Sequence, residues 1–209
     1  MRRLDVIAVA AVSGRYELAG RVAARALALV LVIAGLGSCE AYARRGPLRA
    51  PCAGCNVVLI SLDTLRADHV GAYGYPRPTT PNIDALAAQS VVFEQAVSQS
   101  AWTRPAHASM LTGLYPAEHG IVSIARGLAL APTQPTLATT LAEHGYATAA
   151  FTGGGNMSAH FGFDNGFATY RSPGRRLSDA LPEIGRWLDA HRDGPFFLFV
   201  HAFDPHRPY

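Results

Sequence analysis

The chain has 209 residues, of which 18 are arginine, 15 are acidic and none is lysine. The absence of lysine excludes mechanisms that need one, such as Schiff-base catalysis or a Walker A phosphate clamp. The first 49 residues hold eight arginines against three acids, whereas the remaining residues hold ten arginines against twelve acids. The isoelectric point of about 8.9 therefore belongs to the leader, and the mildly acidic body argues against nucleic acid as a partner.

An export signal is predicted at the start of the chain. Residues 26–38 read ALALVLVIAGLGS, an apolar run that follows two arginines and precedes Cys39. This run is typical of a secretion signal, because a helix needs roughly 20 residues to cross a bilayer. Residues 36–39 resemble the lipobox of bacterial lipoproteins, so Cys39 is a candidate for lipidation; an ordinary secretory peptide and a single anchor helix are the alternatives. We expect residues 1–39 to direct export to the bacterial cell envelope, as a periplasmic or membrane-anchored protein.

A linker is predicted over residues 40–55, which are rich in proline, glycine and arginine. Cys52 and Cys55 form a CxxC pair, but no second pair and no nearby histidines complete a zinc site. In an exported protein, a local disulfide or two loose thiols are the remaining interpretations of this pair.

The body of the chain alternates predicted strands with predicted helices. Continuous apolar runs indicate buried strands, and apolar residues at helical spacing indicate helices. In chain order, the predicted elements are a strand over 56–62, a helix over 81–89, a short strand over 91–97, helices over 104–111 and 136–144, a strand over 146–151, a helix over 177–191 and a strand over 195–203. This order predicts an α/β fold with a parallel sheet, in which sites form beyond the carboxyl ends of the strands.

Three polar segments follow predicted strand ends, namely Asp63, residues 153–156 and residues 204–206. A carboxylate at the end of a buried strand is well placed to hold a divalent cation, although an isolated Asp63 would also suit a turn cap. Thr103 lies just before a predicted helix, whose free N–H groups favour an oxyanion. The alternative role for Thr103 is a helix N-cap.

Six sequence blocks, taken in order, resemble the N-terminal half of a sulfatase of the alkaline phosphatase superfamily. They are NVVLISLDTLRADHVGAYGY, TTPNIDALAAQSVVFEQAVS, WTRPAHASMLTGLYPAEHG, PTLATTLAEHGYATAAF, FGFDNGF and FFLFVHAFDPHRPY, and they cover essentially all of residues 56–209. The resemblance implies an alkaline phosphatase/sulfatase-like α/β sandwich with a mainly parallel central sheet. It also implies that the C-terminal part, with the remaining metal ligands, is absent from a truncated domain over 56–209.

The resemblance assigns roles to individual residues in a metal-dependent site. Asp63 matches the first metal-binding carboxylate, and Thr103 matches the nucleophile, itself a metal ligand, with Pro105 at the signature proline. His206 matches the histidine that contacts the charged group of the ester. His107, one helical turn after Thr103, is a candidate for orienting substrate or for acid–base catalysis, or it simply packs the helix. The expected cofactor is a divalent cation, and the resemblance does not choose among Ca²⁺, Mn²⁺, Mg²⁺ and Zn²⁺.

Three departures separate the chain from sulfatases that convert a cysteine or serine to formylglycine. Thr103 cannot give that aldehyde, and His107 stands where the signature has arginine. Residues 153–156 read Gly-Gly-Gly-Asn in place of a Gly-Lys-Trp-His block, which removes a sulfate-gripping lysine and leaves Asn156 as the candidate substrate-binding residue. A threonine nucleophile instead resembles the nucleophile of superfamily relatives that transfer or hydrolyse phosphoryl groups.

Two further histidines receive weaker predictions. His201 follows buried phenylalanines in the last strand and is interpreted as a core histidine or as a support for a metal ligand. His119 lies in a predicted loop from which it could approach the site.

The sequence thus predicts a metal-dependent hydrolase of sulfate or phosphate esters that acts on a small-molecule, lipid or glycan ester. One alternative is a phosphoryl-group transferase acting on envelope lipids or glycans. Another is a non-catalytic or truncated envelope lipoprotein that keeps the fold. The joint presence of Asp63, Thr103, Pro105 and His206 favours an enzyme, because a degenerate copy need not keep all four. A serine hydrolase is disfavoured because no G-x-S-x-G elbow is present.

Overall fold

The computed structural model describes residues 5–8, 54–123, 125 and 127–206. Most of the predicted export signal and linker, including Cys39, lies outside the described residues. Cys55 is disulfide-bonded, and the only other cysteines of the sequence are Cys39 and Cys52. The disulfide interpretation of Cys55 is therefore the one that the structure favours over a loose thiol.

A five-stranded parallel sheet forms the centre of the fold, in the order β1-β2-β5-β3-β4. The strands are β1 Asp5–Ala8, β2 Val57–Leu62, β3 Ala147–Phe151, β4 Thr169–Arg171 and β5 Phe196–Ala202. Because every pair is parallel, the carboxyl ends of all five strands lie at one edge of the sheet.

Five α-helices accompany the strands in the described part of the chain. They are α1 Pro81–Ala87, α2 Thr103–Thr112, α3 Pro116–His119, α4 Leu137–Glu143 and α5 Leu177–Ala190. No helix in this part of the chain combines the length and the hydropathy that a membrane span requires.

Strand β5 is buried on both faces and divides the core into two layers. Phe197 and Phe199 pack on one face with residues of α2 and α4. Phe196, Leu198 and Val200 pack on the opposite face with residues of α5. Each of these side chains contributes roughly 2 kcal/mol through burial. The alternation, with helices on both faces of a parallel sheet, confirms the predicted α/β sandwich.

Most predicted elements are confirmed to within about two residues at each end, but the predicted strand over 91–97 is wrong. That segment is irregular apart from an isolated bridge at Val97. Val91, Phe93 and Val97 are 81%, 60% and 69% exposed. Its β-branched and aromatic composition predicted a strand, yet no strand among the described residues pairs along it. Strand β4 and helix α3 lie where the sequence predicted irregular structure, and β1 lies within the predicted export signal, where no strand was predicted.

Candidate active site

Strand pairing brings the three polar segments to one edge of the sheet. Asp63 directly follows β2, and its backbone N–H donates to the carbonyl oxygen of Ala202 at 2.9 Å, which extends the β2–β5 ladder by one residue. Residues 153–156 follow β3, and residues 204–206 follow β5. Since β5 lies between β2 and β3, the three segments are neighbours.

The carboxylate of Asp63 is the centre of a buried polar cluster. Its Oδ2 atom accepts a hydrogen bond from the Thr103 hydroxyl at 2.9 Å and one from His201 Nε2 at 3.2 Å. The next residue, Thr64, has a φ of 62° in the left-handed region that β-branched residues rarely adopt. This conformation turns the chain sharply after Asp63 and is of the kind found at functional sites.

Asp63 is ionised in this setting. Burial by itself raises the pKa of the carboxyl group, but the hydrogen bonds from His201 and Thr103 outweigh burial, and the net pKa lies below its ordinary value. A buried carboxylate that stays charged is a strong ligand for a cation.

Thr103 is the first residue of α2 rather than the residue before it. Trp102 is the N-cap, with an extended backbone and no side-chain capping bond. The Thr103 hydroxyl donates to Asp63 instead of capping the helix. The predicted helix start at residue 104 is therefore one residue late, and Pro105 lies within the first turn.

His107 braces the first turn of α2 against β2. Its Nδ1 atom lies 2.7 Å from the carbonyl oxygen of Thr103, and its Nε2 atom lies 2.8 Å from the Ser61 hydroxyl. Because a carbonyl oxygen only accepts, Nδ1 carries the proton and Nε2 accepts from Ser61. Burial, aided by the neighbouring His201, lowers the pKa of His107 to about 4, so the ring is neutral near pH 7. The structure thus joins His107 to the main chain of Thr103 rather than to its hydroxyl.

His201 is the second side chain that bonds to Asp63, a position that suits the support role predicted for it. It is the register partner of Ser61 in the sheet. It is buried, and its ring meets that of His107 edge-on at a centroid distance of 4.9 Å. The backbone N–H of Gly153 donates to Nδ1 at 3.5 Å, so the proton lies on Nε2 and faces Asp63. The strand alternation, which places His201 on the face of Phe199, is the sequence signal that indicates this position.

The donor atoms of this cluster suit a divalent metal ion. One carboxylate and two imidazoles, from Asp63, His107 and His201, offer ligand atoms that all lie within 4.8 Å of one another. The Thr103 hydroxyl adds a fourth donor. Tetrahedral zinc with bonds of about 2.0 Å has ligand atoms about 3.3 Å apart, close to the separations of Asp63 Oδ2 from its two partners. We call these four residues the acidic cluster: Asp63, Thr103, His107 and His201.

A second cluster surrounds the next residue of α2. Arg104 is 3% exposed, and its Nη2 atom donates to Asn156 Oδ1 at 3.0 Å. Its Nη1 atom donates to the carbonyl oxygens of Ala125 at 2.8 Å and Leu128 at 3.3 Å. The guanidinium carbon lies 3.5 Å from the centre of the Phe161 ring. We call Arg104, Asn156 and Phe161 the cationic cluster; sequence reasoning assigned Arg104 no role.

His206 lies in the turn after β5. Its backbone N–H donates to the carbonyl oxygen of Phe203 at 2.8 Å, and its ring meets the Phe203 ring edge-on at 5.3 Å. Phe203 in turn meets His201 edge-on at 4.6 Å. Asp204 accepts from the backbone N–H of Leu177 at 2.8 Å, so it anchors the start of α5.

His119 does not approach the acidic cluster as the sequence suggested. It is buried at the end of α3, where Nε2 donates to the Ser109 hydroxyl at 3.0 Å and Nδ1 accepts from the Ile121 backbone at 3.1 Å. Ser109 lies more than one helical turn beyond Thr103. Burial lowers the pKa of His119, and the residue ties α3 to the far part of α2.

Comparison with known proteins places this chain in a family. Residues 55–209 match the model of the sulfatase family, and the chain belongs to that family. The family expectation drawn from the six sequence blocks is therefore confirmed.

Two curated relatives and one solved structure illustrate the likeness. The chain is 38% identical over 96 residues to N-acetylgalactosamine-6-O-sulfatase of Bacteroides thetaiotaomicron, covering 44% of this chain and 19% of that protein. It is 38% identical over 98 residues to human arylsulfatase A, with the same coverage of 44% and 19%. The crystal structure of phosphonate monoester hydrolase of Agrobacterium radiobacter matches with a TM-score of 0.59 and 24% identity, over 74% of this chain and 42% of that chain. This last likeness concerns the fold. The chain thus spans about a fifth of the length of these curated relatives.

Proposed function

We propose that this protein hydrolyses sulfate or phosphate esters, with Thr103 as the nucleophile. The observation that carries the proposal is the 2.9 Å hydrogen bond from the Thr103 hydroxyl to the buried, ionised Asp63. Family membership and the names of the relatives support a sulfate ester. Threonine at position 103 supports a phosphate ester or diester to the same degree. Threonine cannot be converted to formylglycine, and it is the nucleophile type of the phosphoryl-transferring relatives.

We further propose that the acidic cluster holds a divalent metal ion through Asp63 and Thr103, with His201 and His107 as nitrogen ligands; binding would displace the Nε2 proton of His201 and the hydrogen bond of His107 Nε2 from Ser61. When bound, such an ion lowers the pKa of a hydroxyl ligand and neutralises charge on the oxygens of an ester. Mixed carboxylate and imidazole donors suit Zn²⁺ or Mn²⁺ better than Ca²⁺, which prefers six or more oxygen atoms.

Residues of this chain are proposed to position the nucleophile and to bind the anionic group of the ester. Asp63 orients the Thr103 hydroxyl, and His107 fixes the Thr103 main chain through its carbonyl oxygen. In the first proposed step the Thr103 oxygen loses its proton and bonds to sulfur or phosphorus while the bond to the alcohol oxygen breaks, and the alcohol leaves with that proton. In the second step water attacks the same sulfur or phosphorus, releases sulfate or phosphate and restores the Thr103 hydroxyl. The free N–H groups at the start of α2, together with Asn156 and His206, are proposed to contact the anionic oxygens.

The compartment is proposed from the same observations. The apolar run before Cys39 favours export, and the disulfide at Cys55 fits an oxidising compartment. We therefore propose a substrate in the cell envelope, either a small molecule or a lipid or glycan ester.

Turnover of aryl sulfate, aryl phosphate and aryl phosphodiester substrates in the presence of Zn²⁺ or Mn²⁺ tests the proposal. Thr103→Ala is expected to abolish turnover, whereas Thr103→Ser, which keeps the hydroxyl, is expected to retain part of it. Undiminished turnover by Thr103→Ala contradicts the nucleophile assignment. The non-catalytic alternative predicts no turnover by the unmodified protein with any of the three substrates.

A further inference from the structure

Of the eight arginines that the structure describes, Arg104 is buried and the other seven are exposed. None of the ion pairs between described residues includes it, and its Nε atom has no hydrogen-bond partner. Burying a cation without a carboxylate costs folding free energy, and an apolar side chain of similar length would avoid that cost. A charge kept in such a place points to a role beyond packing.

The partners of Arg104 are all neutral. They are two backbone carbonyl oxygens, the amide oxygen of Asn156 and the face of the Phe161 ring. These contacts fix the plane of the guanidinium without cancelling its charge. The guanidinium therefore keeps its positive charge, and it is held in a fixed orientation by neutral groups.

The contact with Arg104 also fixes which way the Asn156 amide points. A guanidinium only donates hydrogen bonds, so the amide oxygen Oδ1 must face Arg104. The Nδ2 group then faces away from Arg104, and no described residue accepts a hydrogen bond from it. Asn156 is half-buried, so part of this residue is accessible to a ligand.

Residues 153–156 bond to two other parts of the site. Gly153 bonds to His201 of the acidic cluster, and Asn156 bonds to Arg104, the neighbour of Thr103. At one end, the Gly153 backbone N–H donates to His201. A Cβ atom on Gly153 would lie 2.4 Å from the Phe203 ring, so the segment packs directly on the end of β5. At the other end, Asn156 bonds to Arg104, whose neighbour Thr103 bonds to Asp63. The amide is thus held close to α2.

We propose that Arg104 is a positioning residue for the anionic group of the ester. It locks Asn156 so that the Nδ2 group donates to a non-bridging oxygen of a sulfate or phosphate group. This inference rests on the proposed function and names a part of the site that recognises substrate.

Binding of inorganic phosphate, measured by calorimetry on the Zn²⁺-loaded protein, tests the inference. Asn156→Ala and Arg104→Met are each expected to weaken phosphate binding about tenfold, the loss of one hydrogen bond to a charged group. The double variant is expected to bind no more weakly than either single variant, because both remove the same interaction. Arg104→Lys, which keeps the charge but not the planar fork, is expected to recover only part of the affinity.

Two further variants separate positioning from a general structural role. Asn156→Asp keeps an oxygen for Arg104 but replaces the donating group with a second oxygen, so it is expected to weaken phosphate binding more than Asn156→Ala does. Arg77→Met removes an exposed arginine and is the matched control, with unchanged affinity expected. Each variant is checked by its thermal midpoint. If Arg104→Met does not fold, the Asn156 variants and Arg104→Lys still decide the matter.

Several results would overturn the inference. They are unchanged affinity in a folded Asn156→Asp or Arg104→Met protein, additive losses in the double variant, or no phosphate binding by the unmodified protein. The proposed function fails by a different result, since Thr103→Ala would then keep its turnover. The two results can also occur together. If the Arg104 variants lose phosphate affinity while Thr103→Ala keeps its turnover, the binding role of Arg104 is supported and only the assignment of Thr103 as nucleophile is rejected.

Discussion

Helix α2 begins with two consecutive residues whose side chains enter clusters of opposite charge. Thr103 joins the acidic cluster, where an ionised Asp63 is surrounded by oxygen and nitrogen donors. Arg104 joins the cationic cluster, where only neutral groups meet the guanidinium. Asp63 and Arg104 do not pair with each other, so neither charge is cancelled. The start of α2 thus contributes one residue to a negatively charged cluster, where a metal ion is proposed to bind, and the next residue to a positively charged cluster, where an anion is proposed to bind.

The largest expected effect is the loss of cation binding when the charge of the acidic cluster is removed. Asp63→Asn keeps the shape of the side chain but removes its negative charge, so Zn²⁺ affinity should fall at least about 100-fold and turnover should disappear. Calorimetric titration with Zn²⁺ measures the first effect. Asp68→Asn changes an exposed acid nearby and is the control. Zn²⁺ affinity within a few-fold of the original in Asp63→Asn would remove the acidic cluster as the metal site.

A smaller effect is expected at the second donor of the acidic cluster. His201→Gln removes the imidazole that faces Asp63 and should weaken Zn²⁺ binding about tenfold or more, the range found for residues that ligate or support a ligand. The visible spectrum of the Co²⁺-loaded protein should change as well, because a nitrogen ligand is lost. His144→Gln, at an exposed histidine, serves as the control. An unchanged Co²⁺ spectrum would show that His201 contacts only the carboxylate.

The two clusters should respond independently to substitution. Asn156→Ala is expected to leave Zn²⁺ affinity within about twofold while it weakens phosphate binding, because Asn156 contacts Arg104 rather than a metal donor. Parallel Zn²⁺ and phosphate titrations of the same preparation make the comparison. If Asn156→Ala lowered both the Zn²⁺ affinity and the phosphate affinity, the two clusters would be energetically coupled although no hydrogen bond joins their side chains.

The smallest expected effect is on the pH dependence of stability, through His119, which bonds to α2 outside both clusters. Burial lowers the pKa of His119 below the value of about 6.5 for an unfolded histidine. Between these pKa values the unfolded chain binds more protons, so the free energy of unfolding falls as the pH drops through that window. His119→Gln should make this pH dependence shallower in urea titrations and leave Zn²⁺ and phosphate affinity unchanged. An equally steep pH dependence in the variant would show that other groups cause it.

Local sequence pattern accounts for most of the sheet. The run over 195–203 predicted β5 because a strand buried on both faces needs apolar side chains at every position. The same reasoning failed for residues 91–97, whose composition suits a strand but which form only an isolated bridge at Val97. Pairing depends on segments distant in the chain, and composition does not report it.

The candidate site was predictable in part, for a related reason. Asp63 and Thr103 followed from their positions after a buried strand and at a helix start, together with the family resemblance. Arg104 did not, because its direction depends on the rotation of α2 and its partner Asn156 lies 52 residues further along the chain. The sequence indicates that His201 is a core histidine or a support for a metal ligand, but only the sheet register shows that it faces Asp63.

The covalent state of Thr103 during turnover tests the central claim most directly. The metal-loaded protein is mixed with an aryl sulfate or an aryl phosphate, quenched in acid and digested, and the peptide with residue 103 is examined by mass spectrometry. The account predicts an unconverted threonine that carries a sulfuryl or phosphoryl group, present in the Thr103→Ser protein on serine and absent from Thr103→Ala. Turnover without any adduct at residue 103, at the same rate in Thr103→Ala, would contradict it.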